Sequence, residues 1–232
     1  MVRAVVVAAG RSRRMGEGVD KQLLLLDGRP VLAHSLAVLE ECPDVTEYVV
    51  VAGAGAVAAV TRLARQAWGC RKLAGVAPGG ETRRDSVWEG LQALPDNTRI
   101  VVVHDGARPF LQAELVGRVV DAAVRWGAAT LAVPARETVK EADAGGFVLR
   151  TVPRENLWLT QTPQAFSFPL LREAHRRARA EGLPAPDDAS LVEALGHRVK
   201  VVEGSPLNLK ITTPEDLILA QAIARVRAGG LS

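Results

Sequence analysis

Early in the chain the residues run Val5-Val6-Val7-Ala8-Ala9-Gly10-Arg11-Ser12-Arg13-Arg14-Met15, followed by Asp20-Lys21-Gln22. An apolar run ends in two small residues and a glycine, and three arginines and a lysine follow within one loop's length. Small residues let a ligand come close to the backbone, whose free N–H groups bind anions. Guanidinium and ammonium groups supply the charge to hold a polyphosphate. The chemistry implied is that of a nucleoside triphosphate site at the carboxyl end of a first strand. A P-loop requires G-x-x-x-x-G-K-[ST] and a dinucleotide fold requires G-x-G-x-x-G; neither spacing is present.

Three further clusters carry polar chemistry. Gly79-Gly80-Glu81-Thr82-Arg83-Arg84-Asp85-Ser86 opens a helix. Taken alone it is a cap, with Glu81 and Asp85 complementing the dipole, but Arg83 and Ser86 lie one turn apart and the Ser86 hydroxyl can serve a base or sugar. His104-Asp105-Gly106-Ala107-Arg108-Pro109 follows a buried strand. An aspartate there suits a Mg²⁺ ligand, because the metal must sit against phosphates in the crevice. Arg108 suits a phosphate or sugar, and His104 reads as structural rather than as a base. In Asn208-Leu209-Lys210-Ile211-Thr212 a lysine interrupts an apolar stretch. Lysine is rarely buried unpaired, so Lys210 is expected to point into a polar site rather than lie on a solvent-facing edge strand.

These loops need a scaffold that brings them to one edge, and the pattern supplies one. Strands are predicted at 2–8, 47–52, 71–76, 99–104 and 128–133. Between them fall helices beginning at Pro30, and at 56–66, 81–94 and 112–126. Alternation of this kind means an α/β fold with a doubly wound, mostly parallel sheet. From 134 to 168 no helical pattern exists, and Asp143-Ala144-Gly145-Gly146 joins two short strand-like runs into a hairpin. A lone two-stranded ribbon is marginal in water. This arm, about 134–157, is therefore expected to pack on something, such as the same arm of a second subunit. Helices at 169–181 and 187–195, strands at 197–202 and 207–211, and a terminal helix at 214–227 complete the pattern. One domain spanning 1–232 with a protruding arm is the simplest account.

Composition narrows the partners. Lysine and arginine total 29 against 26 acids, a net charge of +3, which is no nucleic-acid stripe. The longest uncharged stretch, 48–61, is too short to span a bilayer and contains Gly53 and Gly55, so no membrane association is expected. Cys42 and Cys70 lack metal-ligand spacing and read as free thiols in a reducing compartment, and the first residues do not form a secretory signal. The expected location is cytoplasmic.

The motifs A-A-G-x-x-x-R-M…K-Q, G-G-x-x-R-x-D-S-V, H-D-x-A-R-P, E-T-V-K, R-E-N-L-W…T-P-Q, D-D-A-S and N-x-K-I-T-x-P-E-D-L occur in one order from about Val2 to Ala220. Together they closely resemble the 2-C-methyl-D-erythritol 4-phosphate cytidylyltransferases of non-mevalonate isoprenoid synthesis. The resemblance implies a Rossmann-like nucleotidyltransferase that uses Mg²⁺ to join CTP and methylerythritol 4-phosphate, releasing pyrophosphate. It implies that Ala8, Ala9, Gly10, Gly80, Ser86 and Asp105 hold the cytidine, its ribose and the metal, and that Arg14 and Lys21 hold the triphosphate. Arg108, Thr138, Arg154, Thr162 and Lys210 would contact the polyol phosphate, with Thr138 and Arg154 coming from the arm of the partner in a homodimer. One position departs from the pattern: Pro186 stands where members often carry a threonine before D-D-A-S, so one hydroxyl contact is missing. Two other readings compete. Ribitol 5-phosphate cytidylyltransferase would run the same chemistry on a longer polyol. A non-catalytic nucleotide-sensing module would keep the fold, but Lys21, Asp105 and Lys210 together argue against it.

Overall fold

The computed structural model of the chain describes residues 1–10 and 22–229. Its centre is a seven-stranded sheet. The first strand, β1 (Val2–Ala8), lies between β4 (Glu47–Ala52) and β6 (Ile100–Asp105), parallel to both. Parallel strands covered on both faces read as continuous apolar runs, which is why these are so rich in valine. Alternate residues still serve different layers. Val6, Val50 and Val102 pack under α1 (Val31–Glu41), α2 (Val57–Gln66) and α4 (Ala113–Trp126). Val5, Val51 and Val103 pack under α3 (Arg83–Gln92), α5 (Phe168–Glu181) and α6 (Asp188–Ala194).

The remaining strands of this sheet are β5 (Leu73–Pro78), β7 (Ala128–Pro134), β10 (Trp158–Ser167) and β11 (Lys200–Glu203). Their order across the sheet is β11-β7-β10-β6-β1-β4-β5. From β1 the chain winds outward through β4 to β5, then returns to β6 on the other side. The strand order thus reverses between β1 and β6, and in open α/β sheets the crevice at such a point binds the ligand. Two short strands, β2 (Leu25–Leu26) and β3 (Arg29–Pro30), form a small hairpin beside α7 (Pro214–Gly229), where Leu26, Phe110, Ile211 and Ala220 make a third apolar cluster. Among the described residues no helix is long and apolar enough to cross a membrane.

The expected hairpin is present as β8 (Val139–Ala142) paired with β9 (Val148–Val152). Its turn is tied by Asp143, whose carboxylate accepts the N–H groups of Gly145 and Phe147, both at 2.9 Å. Phe147 is 75% exposed at the tip, and Val148 and Leu149 are exposed beside it.

One expectation fails. The stretch 207–211 is no strand: Asn208 spends its side chain on the Thr162 carbonyl, at 2.8 Å, and the Ile211 N–H donates to Ala107 at 2.9 Å. The segment crosses the strand ends instead of joining a ladder. Thr162-Pro163-Gln164, in the stretch 134–168 where no helical pattern exists, lies in β10, which runs antiparallel between β6 and β7. A proline inside a run argues against a central strand because it cannot donate to a ladder. Here the pairing of β10 with β7 is irregular between Thr160 and Gln164, and the break accommodates Pro163. The strand expected at 197–202 is found as β11, three residues later at its start.

Candidate active site

Asp105 ends β6 opposite Val7 of β1, so its carboxyl and the Ala8-Ala9-Gly10 backbone meet at the reversal point. The crossing is tight. The Gly106 N–H donates to the Val7 carbonyl at 2.9 Å, and a Cβ at Gly106 would sit 2.8 Å from Leu32 and 3.4 Å from Ala8. The turn between β5 and α3 is equally close-packed. A Cβ at Gly79 would lie 2.2 Å from that of Ala9, and one at Gly80 would lie 2.5 Å from that of Asp85. Glycine is needed at both positions because backbone and side chain fill the space. Thr82 caps α3 by accepting the Asp85 N–H. The Ser86 hydroxyl donates to the Thr82 carbonyl at 2.9 Å, so what it offers a ligand is a lone pair.

Three cations converge on Asp105. Lys210 Nζ is 2.8 Å from Oδ2, Arg108 Nε is 3.5 Å from Oδ2, and Arg83 Nε is 3.5 Å from Oδ1. Lys210 is delivered by the irregular segment that Asn208 pins, and the Asn208 carbonyl accepts from Arg108 at 2.7 Å. Burial alone would push the Asp105 carboxyl up, but Lys210, Arg83 and Arg108 outweigh it and hold the group well below the usual carboxylate range. Thr162 stands behind: its Oγ1 accepts the Asp105 N–H at 3.0 Å and lies 3.2 Å from His104 Nδ1.

These groups line a cavity of about 430 Å³ that also takes in Thr160, Gln161, Gln164, Pro186 and Asp187. Asp105, Arg108, Thr162 and Lys210 are therefore brought together as expected, while Ala8, Ala9 and Gly10 lie at the end of β1, Gly80 in the turn after β5 and Ser86 in the first turn of α3. Thr138 and Arg154 are not among the cavity-lining residues; both are exposed, and Arg154 donates to the Arg136 carbonyl of its own arm. Arg14 and Lys21 lie outside the described residues. Pro186 does line the cavity, so the missing hydroxyl is missing from this wall. Thr160 and Gln161 are lining residues that the sequence does not single out. Their signal, polar residues in a strand otherwise rich in buried ones, becomes readable only once β10 is known to be central.

His104 is fully buried, and burial depresses its pKa to about 4. Its unfolded value is about 6.5, so as pH falls the unfolded chain takes up the proton first. The His104 contribution to the folding free energy should be complete above about 6.5 and be lost between there and about 4, by roughly 3 kcal/mol in total at about 1.4 kcal/mol per unit. Urea unfolding midpoints at pH 7.5 and 4.5 measure this; His104→Asn should flatten the slope.

An α/β sheet whose reversal point gathers cations, a buried carboxylate and small-residue strand ends defines a nucleotidyltransferase-like protein. The comparisons agree. The profile of the family IspD, 2-C-methyl-D-erythritol 4-phosphate cytidylyltransferase, matches residues 2–226, and the chain belongs to that family. It is 52% identical to the enzyme of that name from Pelotomaculum thermopropionicum over 231 residues, covering 100% of this chain and 97% of that one. The solved 4-diphosphocytidyl-2C-methyl-D-erythritol synthase of Anaerococcus prevotii superposes with a TM-score of 0.85 at 30% identity, covering 97% and 98% of the two chains. The 2-C-methyl-D-erythritol 4-phosphate cytidylyltransferase of Thermus thermophilus gives 0.79 at 40% identity, covering 96% and 98%.

Proposed function

We infer that the chain joins CTP and 2-C-methyl-D-erythritol 4-phosphate to give CDP-methylerythritol and pyrophosphate. The observation that carries the reading, beside family membership, is the convergence of Lys210, Arg108 and Arg83 on Asp105 in a polar cavity at the sheet's reversal point. An oxygen of the polyol phosphate attacks the α-phosphorus of CTP. The bond from that phosphorus to the oxygen bridging the β-phosphorus breaks, and pyrophosphate leaves with the electron pair. No general base is required, because a phosphate monoester with a second pKa near ~6 is mostly dianionic at neutral pH. The difficulty is bringing two anions together, which fixed cations overcome by positioning and by stabilising developing charge. Lys210 and Arg108 are placed to hold the polyol phosphate, with Thr162 beside them. Arg14 and Lys21 are assigned to the triphosphate, and the strand ends around Ala9, Gly80 and Ser86 to the cytidine.

The donor set suits Mg²⁺. Such an ion takes one or two carboxylates and completes its shell with water and phosphate. Asp105 offers one buried carboxylate, whose Oδ1 carries only the long contact to Arg83. When bound, the ion would neutralise phosphate charge, with Asp105 as its protein ligand. A homodimer with exchanged arms is the proposed active unit, supported by the exposed apolar tip and by Arg154 and Thr138 lying off their own chain's cavity. A cytoplasmic location is proposed from the two free, buried thiols of Cys42 and Cys70.

Pyrophosphate release tests the reading. CTP with methylerythritol 4-phosphate and Mg²⁺ should turn over, and other nucleoside triphosphates or ribitol 5-phosphate should be poor. Preference for ribitol 5-phosphate would reassign the acceptor, and no turnover with any pair would leave a nucleotide-binding module.

A further inference from the structure

Arg83 is held on two sides. Its NH1 is 2.8 Å from Asp188 Oδ2, and its Nε is 3.5 Å from Asp105 Oδ1. Asp188 begins α6, is 1% exposed, and accepts from His175 Nε2 through its other oxygen at 2.9 Å. His175 sits on α5 with no exposure, and its Nδ1 has no partner among the described residues. The backbone N–H of Asp188 donates to Gln164 Oε1 at 3.1 Å, and the Gln164 amide donates to Thr130 at 2.9 Å and Asp187 at 2.8 Å. The row His175–Asp188–Arg83–Asp105 therefore ties α5, α6 and α3 to the end of β6, and Gln164 of β10 anchors its middle.

We propose that Arg83 is a positioning residue that fixes the Asp105 carboxylate, and that Asp188 and His175 hold Arg83 in place for that purpose. The reading rests on Asp105 serving the reaction proposed above. Charge counting supports it. The guanidinium is neutralised by Asp188, so Arg83 adds little net attraction for phosphate. What it adds is geometry: by engaging Oδ1 from one side, it leaves Oδ2 turned to Lys210 and Arg108. A planar fork presents separate N–H groups to the two carboxylates in fixed directions, whereas a lysine's freely rotating ammonium fixes neither direction. The buried histidine reaches the cavity wall through Asp188, which contacts both Arg83 and Gln164. Burial would raise the Asp188 carboxyl, and Arg83 followed by His175 bring it below its ordinary value, which keeps the ion pair charged.

The test is a double-mutant cycle with Arg83→Lys and Asp105→Asn. Arg83→Lys keeps the charge and should lower kcat roughly 10- to 10²-fold, the scale of a misplaced catalytic group, with a raised Mg²⁺ requirement. In the Asp105→Asn background the same change should have no further effect on kcat, because Arg83 acts through Asp105. His175→Asn should act in the same direction with a smaller loss, also abolished in that background. Equal losses in both backgrounds would overturn the proposal, as would an unchanged kcat in folded Arg83→Lys. A second readout needs no turnover: binding of Mg²⁺ with CTP, followed by titration calorimetry, should weaken in Arg83→Lys, and the same change should have no further effect in the Asp105→Asn background. Unchanged binding in folded Arg83→Lys also overturns the proposal. Should the wild type fail to turn over CTP, the functional reading falls, and this binding cycle alone decides whether Arg83 acts through Asp105.

Discussion

Asp105→Asn should lose both stability and magnesium affinity. The side chain is 8% exposed and, among the described residues, faces three cations. With the carboxylate gone, Lys210, Arg108 and Arg83 repel one another, and among the described residues only Arg83 retains another carboxylate, Asp188. Removing one partner from a buried ion cluster costs about 3–5 kcal/mol. A neutral amide oxygen is also a poorer ligand for a hard cation, so half-maximal rate should need more Mg²⁺. Urea unfolding and a magnesium titration of the rate measure the two effects separately. A lower midpoint with unchanged magnesium dependence would make Asp105 an anchor for the cations and no more. The pH behaviour follows from the same cluster. The folded-state pKa of Asp105 is depressed, so its contribution to stability is complete above its unfolded value of about 3.9 and is lost only as pH falls below that. Acid limbs of activity near pH 6 then belong to the substrate phosphate, whose second pKa is about 6, rather than to this carboxyl.

The parts of this arrangement that the sequence made readable are those governed by local rules. Valine runs ending in small or acidic residues gave β1, β4 and β6, because strands buried on both faces leave an unbroken apolar signature. The heptad-like spacing of Val116, Val119, Val120 and Ala123 gave α4, and Gly127, at φ +83°, ends it. What local rules hide is long-range compensation. β10 carries Pro163 at its centre and reads as loop, yet partners on both sides, β6 and β7, keep it in the sheet. The 207–211 segment has a strand-like composition, but Asn208 finds its partners in Gln161 and Thr162, across 46–47 residues of sequence. Lys210 was singled out because a lysine among apolar residues demands a partner; that the partner is Asp105 emerges only when β6 and this segment are superposed. Arg83 was visible only as a polar residue opening a helix, and its ion pairs, like His175 altogether, were hidden for the same reason. Each looks like an ordinary helix residue until Asp188 is placed between them.

Mixing two crippled proteins should restore part of the activity. Lys210→Ala removes a cation from the cavity of its own chain, where Lys210 meets Asp105. Arg154→Ala removes a cation from the arm, where Arg154 lies away from that cavity. The arm has a reason to leave its own subunit. Among the described residues β8 and β9 pair only with each other, and Phe147, Val148 and Leu149 stay exposed at the end of the ribbon. A two-stranded ribbon with an uncovered apolar end gains stability by packing on a neighbour. Suppose each arm completes the site of its two-fold partner. A mixed dimer then holds one site with both defects and one with neither. Random exchange of equal amounts makes half the dimers mixed, so about a quarter of the wild-type rate should return, the two-fold symmetry setting that fraction. Each variant measured alone should be nearly inactive, since every site in it carries the same defect. Deleting 142–148 should leave the sheet folded, because its core comes from other segments. The same deletion should raise the KM for the polyol phosphate by loosening Thr138 and Arg154. Recovery absent after verified subunit exchange would mean that every chain completes its own site. The exposed ribbon would then have to reach its own cavity by a movement of the arm.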